Sequence, residues 1–165
     1  MNKGKLYILS GPSGVGKNSV EAELYKKLPN LKRVVTCKKR EPSEGEIDGV
    51  HYHFKTQEEF QRMIDNNEFL EWAKVHNKFY GTPLKGVNEI LSQGNDVLAI
   101  IDVQGGVQVK EIRPDATLIF LLPENIAQLK SHIKNRGDMK EEDLAIRLKN
   151  VEMELSYKDQ YDYAI

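Results

Sequence analysis

Apolar and polar positions alternate along the chain in short blocks and longer periodic stretches. Residues 6–9 are a brief apolar run that ends at Ser10-Gly11-Pro12. Val20, Leu24 and Leu28 then recur at helical spacing up to Pro29. Residues 33–36 read as a second strand. Residues 37–50 are polar, and their Pro42, Gly45, Gly49 and four acids predict an exposed loop or insert. A short strand is expected at 52–54. Thr56 with Glu59 predicts a capping box opening a helix that carries Phe60 and Ile64. Residues 69–75 alternate as a strand does, 77–83 read as a turn, and 84–91 as a short helix closed by Gly94. The runs 97–103 and 116–122 are continuously apolar, as strands buried in a parallel sheet are. Helices are expected at 107–112, at 125–134 and over 140–157, the last with Leu144, Leu148, Val151 and Leu155 on one face. Residues 161–165 are expected to open another strand, and because the chain stops inside it the expectation is a truncated C-terminus, missing the rest of that strand. Strands alternating with helices predict an α/β layered fold with a mainly parallel sheet.

The length of 165 residues suits one core with an insert. Hydrophobic residues at 39% and charged residues at 30% are ordinary globular proportions. Lys and Arg total 24 against 25 Asp and Glu, a formal charge of −1. That balance disfavours a protein held to nucleic acid by bulk charge. The single cysteine, Cys37, excludes an internal disulfide framework and a cysteine-based zinc cluster. Cys37 sits beside basic residues, which lower a thiol's pKa, yet it is read as a packing residue. The apolar runs are too short to cross a bilayer, and residues 1–5 carry no charged-then-apolar leader. The expectation is a soluble cytoplasmic protein with no nucleic-acid or membrane partner and no obligatory protein partner.

The strongest motif is Gly11-Pro12-Ser13-Gly14-Val15-Gly16-Lys17-Asn18-Ser19, a Gly-x4-Gly-Lys run between a strand and a helix. Glycines let the backbone wrap phosphate oxygens, amide groups form an anion nest at a helix N-terminus, and Lys17 neutralises phosphate charge. All nine residues are therefore candidates for nucleoside triphosphate binding. The full motif has Ser or Thr after the lysine to hold Mg²⁺; here Asn18 stands there, with Ser19 next. Either Asn18 or Ser19 is the candidate metal ligand. A glycine-rich turn that binds nothing is the bland alternative.

Further along stand Gly45-Glu46-Ile47-Asp48-Gly49-Val50 with Tyr52-His53-Phe54, then Phe69-Leu70-Glu71-Trp72-Ala73 and Tyr80-Gly81-Thr82-Pro83. Ile101-Asp102-Val103-Gln104-Gly105 and Asn135-Arg136-Gly137 follow. With the phosphate loop, this ordered set resembles guanylate kinase, which moves phosphate from ATP to GMP. The resemblance implies a P-loop nucleoside triphosphate hydrolase-type three-layer fold with a parallel central sheet, a small mixed-β GMP-binding insert and a helical lid. It implies a core of residues 1–32, 86–127 and 149–165, an insert of 33–85 and a lid of 128–148. It implies Mg²⁺-dependent transfer from ATP to GMP or dGMP, in purine nucleotide metabolism. Glu71 matches the family's guanine-reading glutamate, with Thr36, Thr82 and Asp102 completing the base pocket. Arg40, Tyr52 and Tyr80 match positions that meet the GMP phosphate. Lys17, Arg40, Arg136 and Arg147 match the charge-stabilising catalytic set, the last two as lid arginines. Guanine offers two adjacent donors, so a carboxylate suits it, and a buried pairing site rejects adenine.

Several positions depart from the family pattern. Lys38 and Lys39 replace hydroxyl residues, and Ser43 replaces a second phosphate-binding arginine. Charge lost at Ser43 is expected to be restored in part by Lys38 or Lys39, without an arginine's bidentate fork. His132 replaces a lid arginine, with a group that titrates near neutrality. His51 and His53 share a strand face, with no third metal ligand evident. Two alternatives stay open: a guanylate-kinase-like module that binds a phosphopeptide or partner protein, and a related P-loop kinase with another small phosphate acceptor.

Overall fold

The computed structural model describes residues 3–12, 14–75, 78–134 and 140–165. In chain order the elements are β1 (Leu6–Ser10), α1 (Lys17–Lys27), β2 (Leu31–Lys32), β3 (Cys37–Lys38), β4 (His53–Phe54) and α2 (Gln57–Asp65). Then come β5 (Phe69–Val75), β6 (Lys78–Pro83), α3 (Leu84–Ser92), β7 (Asp96–Ile100), α4 (Val103–Ile112) and β8 (Thr117–Phe120). The last are α5 (Ile126–Lys134), α6 (Glu141–Leu155) and β9 (Tyr163–Ala164).

The strands form two sheets. One has the order β2-β7-β1-β8-β9 with every pairing parallel. Strand alternation decides what covers each of its faces. Leu6, Ile8, Val97, Ala99, Leu118 and Phe120 point to one side, where Val87 and Leu91 of α3 and Val109 of α4 join them. Leu9, Leu31 and Leu98 point to the other, against Val20 and Leu24 of α1. The result is three layers, helix on sheet on helix, and each buried aliphatic chain contributes about 1.5–3 kcal/mol. Among the described residues no helix is long and apolar enough to cross a membrane.

The second sheet is mixed, ordered β4-β3-β6-β5. Helix α2 covers one face, with Phe60 packed on Cys37 and Phe69 and its ring 4.7 Å from that of Phe69. The expected capping box starts this helix: Thr56 Oγ1 accepts from the Glu59 amide, and Glu59 accepts from the Thr56 amide.

Four boundaries differ from the sequence reading. Residues 33–36 are not a strand but the crossing between the two sheets, with Val34 buried in the main core. Cys37 and Lys38 are not loop; they form β3, hydrogen-bonded on both sides. The supposed turn at 77–83 is mostly β6, because long-range pairing with β5 outweighs the breakers Gly81 and Pro83. Gly81 is required there: a Cβ would lie 2.5 Å from the Phe69 ring. Finally, the apolar run through 103 ends as a strand at Ile100, because Asp102 caps α4 and Val103 already belongs to that helix.

One buried polar contact ties the ends of the chain together. Ser10 Oγ donates to the Ile101 carbonyl at 2.6 Å and accepts from the Tyr161 hydroxyl at 2.7 Å, with the Val103 carbonyl 3.0 Å from the same hydroxyl. The tyrosine reaches this spot because Gly106 has no side chain; a Cβ there would overlap the Tyr161 hydroxyl.

Candidate active site

Strand β1 delivers the chain to Gly11, packed so closely that a Cβ would meet the Leu121 carbonyl at 2.7 Å. Gly14 and Gly16 adopt φ of 82° and 100°, a region that glycine enters without strain. Gly16 is the N-cap of α1, and no acid occupies that helix's first turn. The unpaired amides and the positive end of the helix dipole therefore face the loop uncompensated. Lys17 Nζ donates to the Gly11 carbonyl at 2.6 Å across the loop. Burial lowers its pKa, while the charges of Glu154 and Asp102 pull it back up. Asn18 and Ser19 are exposed in the first turn of α1. Ser13 lies outside the described residues.

A cavity of about 530 Å³ opens between the two sheets. Six sequence candidates line it (Thr36, Tyr52, Glu71, Tyr80, Thr82 and Asp102), together with Asn18 from the phosphate-loop helix. Glu71 and Thr82 are cross-strand partners in β5 and β6, so their spacing is fixed by the ladder. Thr82 is buried. Burial, and then the neighbouring Asp102, pushes the Glu71 carboxyl up to about 7. Gly105 makes room for both acids. A Cβ there would sit 2.7 Å from Asp102 Oδ1 and 3.0 Å from Glu71 Oε1. Asp102 also accepts from the Gly105 amide at 3.2 Å, so its cap role and its place on the cavity wall coexist.

Other candidates stand apart. Arg40 is not on the cavity wall; its guanidinium forms a two-pronged pair with Glu46 at 2.7 and 3.0 Å. It also donates to Ser43 Oγ and the Glu41 carbonyl. Arg40 holds the Glu46 carboxyl down to about 2, with help from the Ser43 amide. Arg147 is exposed on α6. Arg136 and the His132 side chain lie outside what is described. Cys37 is a packing residue as expected: it lies in the apolar cluster under α2, and burial pushes its thiol up to about 11. His51 Nδ1 accepts from the Ile47 amide at 2.9 Å, which makes it part of the loop's own turn.

Residues 3–165 match the family model described as guanylate kinase. A guanylate kinase of Caldanaerobacter subterraneus subsp. tengcongensis is 44% identical over 163 residues, covering 99% of this chain and 79% of the relative. One from Prochlorococcus marinus is 45% identical over 164 residues, covering 99% and 89%. The crystal structure of guanylate kinase from Anaplasma phagocytophilum superposes with a TM-score of 0.73 at 30% identity, over 99% of this chain and 77% of that one. The chain belongs to the guanylate kinase family.

Within that family frame, three features escaped the sequence reading. The Glu46 clamp on Arg40 was hidden because Glu46 stands in the motif at 45–50 but no spacing ties it to Arg40. The Ser10–Tyr161 contact joins positions 151 residues apart and leaves no local signal. Glu21, Arg33 and Gln104 share the cavity wall, but their spacing along the chain fits no motif.

Proposed function

We infer that the chain transfers the γ-phosphate of ATP to GMP, giving ADP and GDP. One observation carries this reading: the half-buried Glu71, its buried partner Thr82 and the start of the phosphate-loop helix face a single cavity. An acceptor base held by Glu71 thereby directs its phosphate toward the phosphates held by the loop. The acceptor phosphate is already a nucleophilic anion. One of its oxygens attacks the γ-phosphorus, the bond from that phosphorus to the β–γ bridging oxygen breaks, and no general base is required. The remaining work is positioning and charge stabilisation. In this reading the loop amides and Lys17 hold the β and γ phosphates, Tyr52 and Tyr80 face the acceptor phosphate, and Thr36, Thr82 and Asp102 complete the base pocket. The second sheet with α2 forms the GMP-binding part, and residues 128–148, most of α5 with the first half of α6, form the lid that brings Arg136 and Arg147 to the transferred group.

Mg²⁺ belongs to the same reading. Asn18 and Ser19 present an amide oxygen and a hydroxyl at the exposed start of α1, a hard-oxygen set that suits a cation keeping most of its own waters. When bound, the ion neutralises charge on the β and γ phosphates. A coupled ADP-release assay with GMP, dGMP, AMP and UMP tests the function. Turnover with GMP and dGMP is expected, with kcat/KM for AMP lower by about 10⁴. Absence of turnover with all four overturns the reading.

A further inference from the structure

The acceptor side has an unusual distribution of positive charge. Arg40, the cation expected there, is consumed: Glu46 takes its fork from one side, and Ser43 and the Glu41 carbonyl take further donors. Position 43, where the resemblance places a second arginine, carries a serine whose backbone amide also donates to Glu46, at 2.8 Å. Neither position brings a free cation to the cavity.

Lys38 does. Strand alternation puts Cys37 into the apolar cluster under α2 and turns Lys38 to the opposite face, where it lines the cavity. In β3 it stands directly across from Tyr80 of β6. Its ammonium lies 3.8 Å from the centroid of the Tyr52 ring and 5.3 Å from that of Tyr80. Among the described residues it makes no ion pair. An ammonium resting on aromatic faces is held in place by the ring quadrupoles while its N–H groups stay available. Lys39 differs in where it points. It sits 4.7 Å over the Phe79 ring and does not reach the cavity.

Resting on the GMP reading, we propose that Lys38, seated on Tyr52 and Tyr80, is the cation that binds the acceptor's phosphate, in place of an arginine at position 43. The tyrosine hydroxyls and the lysine then form a three-point anion site on one sheet face. Lysine acts there as a point charge rather than a fork. Because Arg40 is held by Glu46, it contributes little net charge to this site.

The test compares GMP with guanosine, which lacks the phosphate, by calorimetric titration of the full chain alongside the coupled assay. Lys38→Ala weakens GMP by about 10- to 100-fold, the range for a hydrogen bond to a charged group, and leaves guanosine within twofold. Lys38→Met keeps the stem packed on the tyrosines and gives the same pattern. Lys39→Ala moves GMP binding by less than twofold. Adding Ser43→Arg to Lys38→Ala restores most of the lost affinity. GMP affinity within threefold of wild type in both Lys38 variants overturns the proposal, as does a parallel loss of GMP and guanosine in Lys38→Met. If the wild-type chain prefers neither GMP nor guanosine over their adenine counterparts, the guanylate reading itself falls. If it binds GMP without turning it over, the transfer reaction falls and the GMP-to-guanosine ratio still decides Lys38.

Discussion

Glu71 and Thr82 meet across one strand pair, and Lys38 and Tyr80 across another, whereas Lys17 and Arg147 belong to a loop end and a separate helix. On the reading proposed above, the acceptor side of the site is a wall of sheet, with its spacings set by the ladder before any ligand arrives. The donor side is gathered from parts. Lys17 rests on the Gly11 carbonyl, and Arg147 is exposed to solvent. A rigid wall suits base recognition, where a small misplacement leaves a buried group unpaired. A gathered site suits phosphoryl transfer, where charges must converge only once both nucleotides are in place and water is excluded.

If the two sides are separate, damage to one leaves the other's binding intact. The largest effect is expected from Lys17→Ala. It lowers kcat/KM by about 10³, the loss typical for a charge that stabilises the transferred group, while guanosine still binds within twofold of wild type. A matching loss of guanosine binding would mean that loop and wall are one unit. Next comes Glu71→Gln, which leaves one guanine donor facing another and lowers kcat/KM for GMP by about 10². The KM for ATP should stay within twofold, and steady-state kinetics with each nucleotide varied in turn checks it.

A smaller effect sharpens the same contrast through pH. Guanine donates two hydrogens, so the pairing proposed above requires Glu71 as a carboxylate. In the free protein its carboxyl sits at about 7, so binding expels a proton below that pH and none above it. Guanosine affinity therefore rises about tenfold from pH 6 to pH 8 and then levels off. Guanosine is the probe because GMP's own phosphate titrates near 6. A flat profile counts against the acid pair, and Glu71→Gln should abolish the slope. The raised pKa also means that the unliganded fold loses stability as pH climbs from the ordinary carboxylate value toward 7, because the folded chain holds the proton longer than the unfolded one.

The smallest effect comes from the contact that joins the halves. Tyr161→Phe removes a buried hydroxyl shared by Ser10 and the Val103 carbonyl, at a cost of about 1–2 kcal/mol. Thermal unfolding should fall by about 3–6 °C, with GMP affinity unchanged.

What the sequence revealed follows the same division. The loop Gly11–Lys17 and the Thr56–Glu59 box were legible because their physics is local: positive φ, free amides, reciprocal caps. The buried runs of β7 and β8 were legible because a parallel sheet covered on both faces needs continuous apolar residues. β3 and β6 were misread because two residues in one case, and Gly81 and Pro83 in the other, look like loop until their partners are known. Arg40 was expected on the acceptor wall. Its capture by Glu46 depends on how the 41–46 loop closes, which no residue spacing discloses. The choice between Lys38 and Lys39 turns on one bit of strand phase, fixed by the burial of Cys37.

The Ser10–Tyr161 contact also has a meaning in time. β1 is made before β7 and β8, yet these two are its neighbours in the sheet. Its last residue is fixed by a hydroxyl 151 positions downstream. Long-range closures of this kind form late and slow a fold's completion. The phosphate loop that leaves β1 therefore reaches its working shape only once a residue 151 positions downstream has joined it, and the chain stays blind to nucleotide until then.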